Sequence, residues 1–262
     1  MQFLRSSWLV LLATVIGVGL FWFRPGGIEG PRVTPVAAEG KGFEHDAFDR
    51  VLAQALKADG TVDYAALAKD RTHLDHYLGQ LAATAPGNAG HRFKTNDDRL
   101  AYYVNAYNAF VIAGVLDQCP VSDVNAHLMG GGFFWRLSFQ MGQADTTLSD
   151  LEGLIRSAMG GDAAVRLALN KGAKGFPPPP AKALRGDTVH AQLAEHAQAA
   201  LRLPQIARVE GDTVIVSKIF EWYARDFGDA LPWIERTAPG LIPPGKTARY
   251  DDFDWSLNGA CP

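Results

Sequence analysis

The spacing of apolar side chains over residues 45–118 predicts helices. Apolar positions recur at intervals of three and four residues over 45–56 and again over 65–83, and the turn-like stretch 58–64 separates the two segments. These segments are predicted to form an antiparallel helix pair. Residues 97–118 are apolar on nearly every helical face, which is typical of a buried helix.

The second half of the chain mixes the two periodicities. Residues 133–142 are predicted as a strand or hairpin arm, and Thr147 and Asp150 form a capping-box pattern before a helix over 148–159. Further strands are predicted at 165–170 and 212–217, and further helices at 188–202 and 218–227. Helices outnumber strands, so we predict an α+β fold in which a mainly helical body packs on a small β-sheet.

An uncharged stretch runs from Ser6 to Phe23 between Arg5 and Arg24. As a helix it would span about 27 Å, close to the roughly 30 Å hydrocarbon core of a bilayer. Residues 1–24 are therefore predicted to be a membrane anchor, with 6–23 in the membrane. The alternative is a cleaved signal peptide, with a cleavage site near Ala38. An uncleaved anchor predicts a membrane-anchored protein with its domain on the periplasmic or extracytoplasmic side. A cleaved signal peptide predicts a secreted protein.

Composition and charge indicate the domain organisation and argue against one class of partner. Residues 25–42 are rich in Gly and Pro and are predicted to be a linker, followed by one globular domain over 43–262. With 47% hydrophobic residues, the chain can bury a substantial core. Its net charge of −3 and lack of a basic cluster argue against nucleic acid as a partner.

The chain has two cysteines, Cys119 and Cys261. They cannot form a disulfide scaffold and do not have metal-ligand spacing. Either they form one disulfide or they are two buried free thiols. Motifs for hydrolases, zinc proteases, nucleotides and dinucleotides are missing from the sequence, so no metal and no cofactor are predicted.

Polar residues within the buried helix are the first candidates for a site. Asn105 and Asn108 share a helix face, and Tyr107 lies beside them. Because an unpaired buried amide costs about 1–3 kcal/mol, both asparagines are expected to have partners. They either hydrogen-bond neighbouring backbone or, together with Tyr107, line a pocket.

The segment 165–180 is the second candidate. A strand at 165–170 would place Arg166 and Asn170 on one face. A buried Arg166 requires a carboxylate or an anionic ligand. The carboxylates considered are Asp226, Asp251, Asp252 and Asp254.

Three further features complete the candidate set. The loop after the strand carries Lys171 and Lys174 and is followed by four prolines. The helix at 218–227 combines Trp222 and Tyr223 with charged neighbours, which indicates either core packing or a cleft wall. Asp254 belongs to an acidic cluster near the C-terminus.

Six segments occur in a characteristic order along the chain: "DGTVDY", "YYVNAYNAFVIAGVL", "TLSDLEGLIR", "LALN…PPP", "VSKIFEWYARDFG" and "YDDFDWSLN". Together they resemble the domain-of-unknown-function family 547, over about residues 43–258. The resemblance implies no assigned activity, but this family occurs in bacteria, often in exported or membrane-anchored proteins, and in plants.

This chain departs from the family pattern at its most reactive positions. Aligning Asn170 with the family's Asn places Arg166 where the family has His, and Lys171 and Phe176 where it has Cys. A His and a Cys together would indicate a thiol nucleophile and its base. Both are missing here.

The sequence therefore favours an anchored or exported domain that binds a ligand or partner without catalysis. Its expected partners are the membrane, through residues 6–23, and a small anionic or peptide-like ligand or an envelope protein. The alternative is a hydrolase or transferase that acts on amide or peptide-like substrates through a group such as Lys171. That role needs a pKa lowered by burial, which a Gly-flanked loop does not favour. The candidate residues are Asn105, Tyr107, Asn108, Arg166, Asn170, Lys171, Lys174, Trp222, Tyr223 and Asp254.

Overall fold

A computed structural model describes residues 27–262 of the chain. The predicted anchor at 1–24 lies outside the described residues. Among residues 27–262, no helix has the length and apolar character needed to cross a membrane.

Helices dominate the described part of the chain, and its strands are short. The helices are α1 (Asp46–Ala55), α2 (Tyr64–Lys69), α3 (Thr72–Ala83), α4 (Asn96–Gln118), α5 (Gly132–Trp135), α6 (Leu148–Ala158), α7 (Val165–Ala168), α8 (Val189–Leu201), α9 (Lys218–Trp222), α10 (Ala224–Phe227) and α11 (Ala230–Thr237), with a 3-10 turn at Gly90–Arg92. The strands are β1 (Ile28–Glu29), β2 (Leu137–Met141), β3 (Ala144–Thr147), β4 (Ala207–Glu210), β5 (Thr213–Val216) and β6 (Thr247–Tyr250).

The strands form two separate three-stranded sheets. In the first, β2 pairs in parallel with β1 and antiparallel with β3. In the second, β5 pairs antiparallel with β4 and in parallel with β6. The predicted α+β class is confirmed, with its strands divided between two sheets.

The core is organised around α4, which confirms the buried helix predicted at 97–118. Its residues from Leu100 to Val115 are buried, so other elements cover it on every side. Thr95 and Asp98 cap its N-terminus reciprocally, and Thr147 and Asp150 do the same for α6, as predicted.

Two predicted helices are each divided in two. The segment 65–83 breaks between α2 and α3, where the carboxylate of Asp70 accepts a hydrogen bond from the Thr72 amide and starts a new helix. The segment 218–227 breaks at Tyr223, whose backbone (φ −110°, ψ 31°) is not helical. Hydrophobic periodicity does not detect a break that leaves the buried face unchanged.

The prediction of a strand at 165–170 was wrong, since Val165–Ala168 form one helical turn that ends at the extended residue Leu169. Asp162 starts the turn, because its carboxylate accepts a hydrogen bond from the Ala164 amide and its carbonyl accepts one from Val165. All four residues of the turn are buried. The alternating faces inferred from the sequence therefore do not exist.

The described part of the predicted linker, residues 27–42, packs along the domain. Ile28–Glu29 forms a strand of the first sheet, and the Val36 amide donates to the Gly79 carbonyl. The guanidinium of Arg92 donates to four backbone carbonyls within residues 38–42, those of Ala38, Glu39, Gly40 and Gly42. These contacts use backbone groups, which leave no hydrophobic pattern in the sequence.

Cys119 and Cys261 form a disulfide, with Cα atoms 5.7 Å apart. Of the two alternatives left open by the sequence, the structure has the cross-link. It fastens the C-terminus to the end of α4.

Candidate functional site

The loop over residues 169–180 leaves the end of α7 and is held at its start by α4. The Asn108 amide group donates to the Ala168 carbonyl at 2.9 Å, and its oxygen accepts from the Asn170 amide at 3.0 Å. Asn105 makes the equivalent pair of bonds with the backbone of Leu184, both at 2.9 Å. The two asparagines of α4 thus follow the backbone-pairing alternative and fix the two segments that flank the prolines.

Asn170 closes the loop on itself. Its side chain donates to the Pro177 carbonyl at 2.6 Å and accepts from the Gly172 amide at 2.8 Å. Asn258, near the C-terminus, donates to the same oxygen at 2.9 Å. The loop is therefore a rigid element, and Asn170 is the centre of its hydrogen bonding.

Lys171 and Glu152 form a buried ion pair beneath the loop. The ammonium of Lys171 lies 2.5 Å from the carboxylate of Glu152, and the two side chains are 13% and 14% exposed. The hydroxyl groups of Tyr107 and Tyr223 donate to the two carboxylate oxygens at 3.1 Å each. Glu152 is thus fully engaged by one cation and two hydroxyls.

The expectation that the loop would leave Lys171 exposed was wrong. The rings of Phe134 and Phe176 lie 5.2 and 5.9 Å from its ammonium and cover it. Burial by itself would lower the pKa of Lys171, but the carboxylate of Glu152 and the Tyr223 hydroxyl outweigh it and raise this pKa above its ordinary value. Burial likewise opposes the charge of Glu152, and the Lys171 ammonium outweighs it and lowers the pKa of the carboxyl. Both groups are charged at neutral pH.

Arg166 pairs with Asp226, which is one of the four carboxylates considered from the sequence. Its Nε and Nη2 both lie 2.7 Å from Oδ2 of Asp226, and the guanidinium stacks 4.3 Å from the ring centre of Tyr223. The side chain is 1% exposed. Its Nη1 has no hydrogen-bond partner within residues 27–262. Of the two partners considered for a buried Arg166, a carboxylate or an anionic ligand, the structure therefore has the carboxylate.

Two of the C-terminal aspartates, Asp251 and Asp254, have other partners. Asp251 pairs with Arg208 at 2.5 Å. Asp254 accepts hydrogen bonds from the hydroxyl and the amide of Ser256, at 2.5 and 2.9 Å, and these bonds lower the pKa of its carboxyl.

An aromatic cluster supports the outer side of the loop. Phe176 packs against Phe253 and Trp255, with ring centres 4.9 and 5.8 Å apart. Trp222 stacks on Trp255 at 5.5 Å and is still 43% exposed. Trp222 therefore fits both alternatives considered from the sequence, core packing and a cleft wall. One face of its ring packs in the cluster, and the rest of the ring is exposed at the surface.

The loop forms one wall of a cavity of about 640 Å³, which we call the proline cavity. Its lining is mostly apolar, with a few polar groups from distant segments. It is lined by residues 56–61, Asn170, Lys174, Phe176, Pro178, Pro179, Ala181, His196, Ala199, Ala200, Leu203, Gln205, Asp254 and Asn258.

His196 is a polar group in the proline cavity that the sequence analysis missed. Its Nε2 lies 3.0 Å from the Leu167 carbonyl and must carry the proton, which leaves Nδ1 as the acceptor of the ring. Burial lowers its pKa, so the ring is neutral at pH 7. The available signal was its position on α8, on the same stripe as the buried Leu193 and Ala200.

A second cavity, of about 570 Å³, lies beside Arg166 and Tyr223 and also has Arg156, Arg225 and Trp222 in its wall. Tyr223 in this wall donates to Glu152, the other member of the site that was missed. Glu152 follows Leu151 on the buried stripe of α6, where a carboxylate is out of place unless it is paired.

The structure gathers candidate residues from the sequence into two separate groups. Tyr107, Lys171 and Tyr223 meet at Glu152, and Tyr223 also contacts Arg166. Asn170, Lys174 and Asp254 meet at the proline cavity instead.

The geometry is that of an α+β domain in which an asparagine-clamped loop separates a buried ion-pair cluster from an apolar cavity. The family described as "Protein of unknown function, DUF547" matches residues 92–199. This part of the chain is therefore similar to that family. The range includes α4, α6 and the loop. No curated protein and no solved structure matches the chain.

Proposed function

We propose that this chain is an envelope-anchored or exported domain that binds a small ligand in the proline cavity and does not catalyse a reaction on it. The observation that carries the proposal is the closed Lys171–Glu152 pair next to an open cavity of about 640 Å³. Cavities of roughly 300–1,000 Å³ with an apolar lining and a few polar groups are typical of small-molecule sites.

The loop positions at which the sequence lacks the family's His and Cys support the absence of catalysis. A nucleophilic amine needs an unprotonated lone pair, and the pKa of Lys171 is raised by its carboxylate partner. Arg166 is a cation that cannot act as a base at neutral pH. A hydrolase or transferase remains the alternative, and it would require Lys171 to titrate near neutrality.

The wall of the proline cavity indicates the chemistry of the ligand. Phe176, the prolines and Leu203 favour an apolar body, while the exposed ammonium of Lys174 favours an acidic group. The neutral ring of His196 offers an acceptor for a donor such as a peptide N–H. An apolar molecule with an acidic or peptide-like group fits this wall.

Binding can be tested with anilinonaphthalene sulfonate, an apolar anionic dye, and a variant that fills the cavity. Ala199 lines the cavity, and Ala194 is exposed on the same helix outside the lining. We expect one dye molecule per chain, at least tenfold weaker binding in Ala199→Trp, and unchanged binding in the matched control Ala194→Trp. Equal affinity in the two variants would refute the proline cavity as the site.

The extracytoplasmic location is supported by the uncharged stretch 6–23 and by the Cys119–Cys261 disulfide, since disulfides persist in oxidising compartments. A reporter that is active only outside the cytoplasm, fused after Pro262 so that Cys261 is kept, should be active. An inactive fusion would contradict export. Membrane fractionation of the same fusion separates an intact anchor from a cleaved, secreted form.

A further inference from the structure

The segment from Leu128 to Trp135, which we call the 128–135 loop, exposes large apolar side chains. Met129 is 73% exposed, more than any other large apolar side chain within residues 27–262, and Trp135 is 42% exposed. Between Val124 and Arg136 the sequence contains no carboxylate, and Arg136 is its one lysine or arginine. The exposed side chains of Met129 and Trp135 therefore lie in a segment without acidic residues.

The backbone of this loop is held in an unfavourable conformation. Leu128, Met129, Gly130 and Gly131 are consecutive and have φ values of 54°, 67°, 67° and 76°. For Leu and Met this left-handed region is disfavoured, because each carries a Cβ atom. The conformation turns the Met129 side chain to the surface, where the described residues leave it uncovered. Strain of this kind is concentrated at functional segments.

The loop is close to the point where the chain enters the domain. The Ile28 amide donates to the Arg136 carbonyl at 2.9 Å, so the first described residues lie directly beside Trp135 and Arg136. Phe23, the end of the uncharged stretch, precedes Gly27 by four residues. Four extended residues reach at most about 14 Å. A membrane that contains residues 6–23 must therefore come within that distance of this corner of the domain.

We propose that the 128–135 loop inserts into the lipid interface of the membrane that holds the anchor. Exposed Trp and Met side chains suit the interface, where aromatic rings sit at headgroup level. The Arg136 guanidinium lies 5.9 Å from the Trp135 ring. The loop and the anchor then fix the orientation of the domain on the membrane. The inference rests on the anchoring in the proposed function.

The test uses the full chain reconstituted in vesicles of phosphatidylethanolamine and phosphatidylglycerol. Both native cysteines are in the disulfide, so Met129→Cys introduces a single thiol for a nitroxide label. Asp212→Cys is the matched control, because Asp212 is a fully exposed side chain in the turn between β4 and β5. Power saturation measures contact of each label with oxygen, which partitions into lipid, and with a water-soluble nickel chelate.

We expect the label at 129 to be at least threefold more accessible to oxygen, relative to nickel, than the label at 212. Equal ratios in chains that float with the vesicles would overturn the loop's insertion and leave anchoring intact. A label at 129 shielded from both reagents would assign the loop to a protein partner and also overturn it. Chains that do not float would refute the anchor itself, and the inference with it.

Discussion

Lys171 keeps its charge inside the protein because Glu152 lies beside it and two tyrosine hydroxyls complete the carboxylate's shell. Removing one partner of such a buried pair leaves the other charge uncompensated, which costs about 3–5 kcal/mol. We predict that Lys171→Met lowers the free energy of unfolding by that amount in urea denaturation. Lys171→Met combined with Glu152→Gln should recover much of the loss, and a double variant as unstable as the single one would contradict the pairing.

The same pair predicts a pH dependence of stability. The pKa of Glu152 is lowered in the folded state, so its contribution is present above the unfolded value of about 4.3 and is lost as pH falls through the folded value. The pKa of Lys171 is raised, so its contribution is present below about 10.4 and is lost as pH rises through the folded value. The stability difference between the wild type and the double variant, measured by urea denaturation from pH 3 to 11, should be constant between these limits and shrink outside them. A stability difference that changes near pH 7 would contradict the conclusion that both groups of the pair are charged at neutral pH.

At the residue scale, sequence reasoning identified polar groups better than it identified their partners. Asp226 was among the candidate partners of Arg166 because an arginine cannot be buried alone. Glu152 was not found, since its partner comes from a loop 19 residues away. The burial of Lys171 could not be predicted, because the rings that cover it come from Phe134 and Phe176.

At the scale of elements, α4 positions the site through its amides rather than through a pocket. Asn108 satisfies one carbonyl and one amide of the loop, so Asn108→Ala would leave two buried backbone groups unpaired. We predict a loss of about 2–4 kcal/mol in thermal or urea unfolding. Asp117→Ala, at an exposed position of the same helix, should change stability by less than about 0.5 kcal/mol. Equal losses of stability in the two variants would contradict this role of Asn108.

The long elements were predictable and the short ones were not. The apolar surface around 97–118 predicts the buried helix α4, and reciprocal caps mark the starts of α4 and α6. The turn at 165–168 was mistaken for a strand because both of its faces are buried, which removes any contrast between periods of two and 3.6 residues. The breaks at Asp70 and Tyr223 depend on local backbone geometry that a hydrophobic pattern does not record.

At the scale of the whole molecule, the disulfide joins residues 142 positions apart. Closing so long a loop restricts the unfolded chain, and on the chain-entropy estimate it stabilises the fold by up to about 5 kcal/mol. We predict that Cys261→Ser lowers the free energy of unfolding by roughly 2–5 kcal/mol. Dithiothreitol should destabilise the wild type to the same level and leave the variant unchanged. A wild type that is insensitive to reduction would contradict a structural role for the cross-link.

The fold class followed from counting helices and strands, but the site's walls did not. The proline cavity is built from segments around residues 56–61, 170–181, 196–205 and 254–258. No local pattern brings these segments together. The packing of residues 27–42 along the domain was missed for the same reason, since it depends on backbone contacts with Gly79 and Arg92.

We propose that the loop holds Lys171 as a structural cation and that the domain binds a ligand rather than catalysing a reaction. The most direct test of this proposal is the titration of Lys171 by competitive acetylation, read by mass spectrometry from pH 6 to 12, with the exposed Lys174 as the internal reference. The account predicts that Lys171 reacts more slowly than Lys174 throughout and titrates above the ordinary lysine value of about 10.4. A Lys171 that titrates near neutral pH and reacts faster than Lys174 would contradict it and favour an amine nucleophile.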